Sequence, residues 1–126
     1  MDGLVTRDVL KLWDTEIRAP NWKRLICVCP RRRFFLRINT RPFWPPHTRL
    51  RQADCADFLE WDSYVELRGL IRIPISEFRE AIARPGNPIG RISDQIARQI
   101  AFAAQQAPTI SDEQRGIIWE KLVGSV

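Results

Sequence analysis

The hydrophobic period of this 126-residue chain changes once, near residue 76. Before that point apolar side chains recur at every second position or in short continuous runs; after it they recur every third or fourth. A period of two places side chains on alternate faces of a strand, and a period of 3.6 lays them along one side of a helix. Strands therefore come first and helices second. That order predicts an α+β architecture in a single domain over 1–126, strand-rich over 1–75 and helical over 76–126.

The clearest strand covers 34–39, where Phe34, Leu36 and Ile38 alternate with Phe35, Arg37 and Asn39. One face is apolar and belongs in a core; the other offers a ring, a guanidinium and an amide. The run Leu25, Ile26, Cys27, Val28, Cys29 reads as a strand covered on both sides. Pro30 and the three arginines after it make a tight connection to the next strand. A first strand is expected over 9–17, with Leu10 and Leu12 on one face and Trp13 on the other. Two more are expected over 63–67, with Ser63, Val65 and Leu67 inward, and over 70–75, with Ile71, Ile73 and Ile75 inward. Phe34, Leu36, Ile38, Val65, Leu67, Ile71 and Ile73 are expected in one core. About five short strands in so few residues predict a small, curved β-barrel with helices packed outside it. Among the helices, Ser76 is positioned to cap 77–83 and Ser93 to cap 94–106. Ser111 and Gln114 have the capping-box spacing that opens a last helix with Ile117, Ile118 and Leu122 inward.

The bases total 20 and the acids 15, a net charge of +5, and 17 of the bases are Arg. Such a balance suits a polyanion or an acidic protein partner, and the planar guanidinium fork suits phosphates. No apolar run reaches the length of a membrane span, and the start has no basic-then-apolar signal; a cytoplasmic protein away from membranes is expected. The three cysteines, Cys27, Cys29 and Cys55, form no disulfide framework. With His47 they are poorly spaced for zinc, and no metal and no cofactor are expected. The sequence has no GxSxG, P-loop, HExxH or Gly-rich dinucleotide fingerprint.

Cleavage of RNA needs less machinery, because the 2′-hydroxyl is itself the nucleophile. A cation must meet the phosphate that gains charge, and a nearby group must assist proton transfer. Arg24 heads one strand, and Arg37, Asn39 and Thr40 end the next; a tight hairpin brings Arg24 and Thr40 to the same end of the sheet. The residues that follow, Arg41, Phe43, Trp44, Arg49 and Arg51, interleave aromatics with Arg around a Pro-rich loop at 42–46. Those are the ingredients of single-stranded nucleic-acid binding, where rings stack on bases and guanidinium groups hold phosphates.

Several segments together resemble the MazF/PemK toxin superfamily. Lys23-Arg24-Leu25-Ile26-Cys27-Val28 resembles its second barrel strand, and Leu36-Arg37-Ile38-Asn39-Thr40 its strand ending in Ile-Thr-Ser. Trp61-Asp62-Ser63-Tyr64 stands where compact relatives often read His-Asp-Ser-Tyr, and Gly90-Arg91-Ile92-Ser93 resembles the Gly-Arg-Leu-Ser before the C-terminal helix. The resemblance implies an SH3-like barrel, usually a homodimer. It implies a metal-independent endoribonuclease that cuts single-stranded RNA and is neutralised by an antitoxin protein. Carried over, the catalytic pair falls on Arg24 and Thr40. Arg37, Asn39, Arg41, Phe43, Trp44, Arg49 and Arg51 would hold the RNA. Leu25 replaces the proline that usually follows the Arg, Trp61 replaces the His, and the loop between the first two strands is short. These departures favour the alternative of a non-catalytic nucleic-acid- or protein-binding module, such as a phage or mobile-element factor acting on host machinery.

Overall fold

A computed structural model describes residues 3–14, 21–42 and 45–124. They form an α+β fold: a curled antiparallel sheet, open as a half-barrel, with three helices against it. The strands are β1 (Asp8–Asp14), β2 (Asn21–Cys29), β3 (Phe34–Asn39), β4 (His47–Leu50), β5 (Ser63–Glu66), β6 (Ile71–Arg72) and β7 (Gly90–Arg91). The helices are α1 (Ile75–Ala83), α2 (Asp94–Gln105) and α3 (Asp112–Leu122). The sheet order is β4-β5-β3-β2-β1-β7, with β6 continuing along the edge of β3 beyond β5. Strand β4, directly after the Pro-rich segment, has no strong signature in the sequence. Its four residues pair with β5 from His47 opposite Glu66 to Leu50 opposite Ser63.

The single core expected from the sequence is two cores, one on each face of the sheet. Val9, Ile26, Leu36, Ile38, Val65 and Leu67 meet α2 and α3 on the first face. Leu10, Leu25, Cys27, Phe35 and Ile73 meet Phe78 and Ala81 of α1 on the second. Phe35, which the alternation turns outward, is therefore fully buried, and its ring lies 6.2 Å from that of Phe78. Phe34 is half-buried, with Arg32 over its ring, and belongs to neither core. The pairing of β2 with β3 slips by one residue between Cys27 and Cys29, so the alternation is not continuous through that corner. All three cysteines are buried thiols.

The strand expected over 70–75 shortens to Ile71–Arg72, because Pro74 ends the ladder and Ile75, half-exposed, already begins α1. Pro74, not Ser76, holds the N-cap position of α1, and no side chain caps it. Ser93 and Ser111 do cap: their hydroxyls accept from the backbone N–H of Ile96 and Gln114. Ile118 and Leu122 are buried on α3, whereas Ile117 is half-buried. Asn87 extends the β1 edge: its amide pairs with both backbone groups of Lys11 and also donates to the carbonyl of Ala81 in α1. Among the described residues no helix is long and apolar enough to cross a membrane.

Candidate nucleic-acid interface

Arg24 lies on β2 opposite Lys11 of β1 and Ile38 of β3. Thr40 stands just past the end of β3, two residues on from Ile38, and is exposed. The hairpin thus brings Arg24 and Thr40 to one end of the β2–β3 pair. The guanidinium of Arg24 has work of its own there. Its Nε donates to the carbonyl of Phe58 at 2.9 Å, and its Nη2 lies 3.7 Å from Glu60 Oε1. Arg24 therefore holds the loop after the 3₁₀ turn Gln52–Asp54 against the first face of the sheet. With Lys11, Asp57 and Glu60 it lines a shallow mixed-charge cleft of about 210 Å³.

Arg37 and Asn39 belong to the other face. Arg37 sits opposite Leu25, and Asn39 opposite Tyr64, which in turn faces Arg49 on β4. Strand alternation separates this pair from Arg24, so the candidate residues divide between the two sides of the sheet. Lys23, two residues before Leu25, joins Arg37 beyond the edge of the α1 core. The row Asn39–Tyr64–Arg49 crosses three strands, and the ring of His47 meets that of Tyr64 edge-on at 5.0 Å. Arg49 forms an ion pair with Asp62, whose other oxygen accepts from the backbone N–H of Gln52 at 2.8 Å. That N–H, and then the guanidinium, hold the Asp62 carboxyl below its usual range. The result is one sheet face with three cations, an amide, a phenol and an imidazole.

Arg41 and Arg51 are exposed at either side of this end of the sheet in sequence, Arg41 after β3 and Arg51 after β4. Phe43 and Trp44 lie outside the described residues. Lys23, Tyr64 and His47 are not among the RNA-holding residues expected from the sequence, where Lys23 and Tyr64 enter only within segments of the family resemblance and His47 only as a poorly spaced zinc ligand. Tyr64 and His47 come to this face through the pairing of β3 with β5 and of β5 with β4, and Lys23 through its place on β2 two residues before Leu25, the partner of Arg37. Among the described residues no three His, Cys, Asp or Glu side chains gather as a metal site. Comparison with protein-family models, curated proteins and solved structures finds no match.

Proposed function

We propose that the protein binds single-stranded RNA on the sheet face that carries Lys23, Arg37, Asn39 and Tyr64. The observation that carries this reading is the cross-strand row Asn39–Tyr64–Arg49 beside Arg37. Single strands are held by cations that track the phosphates and by rings on which bases stack, while amides meet base edges. The net charge of +5 adds long-range attraction. The resemblance to MazF/PemK toxins supports a toxin-like role for this RNA binding, in a homodimer restrained by an antitoxin protein. Chemical-shift mapping tests the interface: a single-stranded RNA oligonucleotide should move the amides of Arg37, Asn39 and Tyr64. Shifts confined to α2 and α3 would place the contact elsewhere.

A second reading, metal-independent cleavage, is favoured by the placement of Arg24 and Thr40 at one end of the hairpin. In that chemistry the 2′-oxygen attacks phosphorus, its proton leaves to a base, and the 5′-oxygen departs with a proton, leaving a 2′,3′-cyclic phosphate. Arg24 would balance the added phosphate charge and Thr40 would orient the hydroxyl. Thr40→Ala should then slow cutting by roughly 10–1,000-fold. EDTA should have no effect, and deoxyribose at the scissile position should abolish the reaction. If pure protein binds but cuts neither substrate, the non-catalytic module replaces this second reading.

A further inference from the structure

We infer that the cross-strand pair Trp13–Trp22, on the sheet face opposite Arg37, is a stacking platform for one base of a bound single-stranded RNA, with a neighbouring phosphate on Lys11. The inference rests on the RNA-binding reading above and adds a contact that reading does not contain, at the end of the sheet where Arg24 and Thr40 stand. The register fixes the layout. On β1 and β2 the face that meets α2 and α3 carries Val9 opposite Ile26, then Lys11 opposite Arg24, then Trp13 opposite Trp22. Val9 and Ile26 are fully buried, so the core on these strands stops at the first pair, and cations and then indoles follow it. Directly opposed side chains on one face of a sheet are close neighbours. Arg24 also faces Ile38, two residues before Thr40.

Contacts to the rings fix the rest. The Trp13 ring meets that of Trp22 edge-on, with 5.2 Å between centres. The Lys11 ammonium lies 5.5 Å and the Arg84 guanidinium 4.4 Å from the centre of the Trp22 ring. Trp22 is the braced member, half-buried with two cations against it, whereas Trp13 is 44% exposed. An exposed indole held by a fixed neighbour offers a base its π-face at little ordering cost. The charges around the pair differ in how far they are matched. Arg24 is engaged by Glu60 and the carbonyl of Phe58, and Arg84 shares its hollow with Glu77 and Glu80 of α1. Lys11 borders the cleft of Asp57 and Glu60 but forms no ion pair among the described residues. Its ammonium is therefore the cation assigned to the phosphate.

Fluorescence anisotropy with an end-labelled single-stranded RNA oligonucleotide tests the platform. Trp13→Leu keeps apolar bulk but removes the π-face, and it should weaken binding roughly 5- to 150-fold. Trp13→Phe keeps a ring and should retain most of the affinity. Equal losses for the two variants, or no loss for Trp13→Leu, would overturn the platform while leaving RNA binding by the wild type intact. Lys11→Gln should flatten the slope of log Kobs against log salt by about 0.7. An unchanged slope would overturn the phosphate assignment, and this variant stays informative if a thermal melt shows that Trp13→Leu has lost its fold. Sedimentation of the same variants covers the other occupant. Unchanged RNA binding by Trp13→Leu together with conversion of a dimer to monomers would make this face a contact between two copies and overturn the platform. Absence of wild-type RNA binding at low salt would overturn the RNA reading as well.

Discussion

Arg24 on β2 donates its Nε–H to the carbonyl of Phe58, 2.9 Å away and 34 residues further along the chain. The bond fastens the loop before β5 to the sheet, and Phe58 itself is 4% exposed within the first core. Arg24→Ala leaves that carbonyl without its partner, which costs about 1–3 kcal/mol. Urea denaturation should show the loss directly, and an unchanged midpoint would contradict the bracing role. An RNA-cutting assay on this variant must therefore be corrected for its folded fraction, whereas the exposed Thr40 gives the cleaner test.

Phe35 and Leu36 are neighbours in sequence that serve opposite cores. Phe35→Ala should destabilise by about 3–5 kcal/mol and Leu36→Ala by about 2–5 kcal/mol. A small effect at Phe35 would mean that α1 does not cover the second face.

Gly90 on β7 has no room for a side chain. A Cβ there would lie 2.7 Å from Phe58 Cδ1 and from Asp57 Oδ2, and 3.0 Å from Phe58 Cβ. Gly90→Ala should cost about 1–3 kcal/mol through displaced packing. A thermal melt equal to that of the wild type would show that the Asp57–Phe58 loop yields freely.

Two carboxyls give the stability a defined sign on the acid side. Gln52 N–H and Arg49 hold Asp62 below its usual range, and Arg98 and Arg7 do the same for Asp94. A carboxyl lowered by folding adds stability above its ordinary value, and that stability fades as the pH falls through the folded value. Urea midpoints should therefore drop on acidification, and less so for Asp62→Asn with Asp94→Asn. Identical pH profiles for the variant and the wild type would contradict the assignment.

Much of the fold is legible in the sequence because alternation is a local signal. The 34–39 and 63–67 segments and the Ser93 and Ser111 caps stand almost where periodicity and spacing predict them. What escapes is set by partners far away in the chain. Alternation shows that Phe35 and Leu36 face opposite ways, but only the docking of α1 makes both faces buried. Short strands such as β4 and β7 exist because a neighbour pairs with them, not because their residues favour strands. The candidate site divides for the same reason. Arg24, Arg37, Asn39 and Thr40 cluster in sequence on two strands, yet the register puts Arg24 on one face and Arg37 and Asn39 on the other. Tyr64 joins Asn39 only through the pairing of β3 with β5.

The most direct test of the account is the salt dependence of single-stranded RNA binding by the wild type, Lys23→Ala and Arg37→Ala. Each cation that neutralises a phosphate on a single strand contributes about −0.7 to the slope of log Kobs against log salt. Wild-type affinity should fall steeply with salt, and each substitution should flatten the slope by about 0.7. A slope that neither substitution changes, or no binding at low salt, would contradict an RNA interface on this face of the sheet.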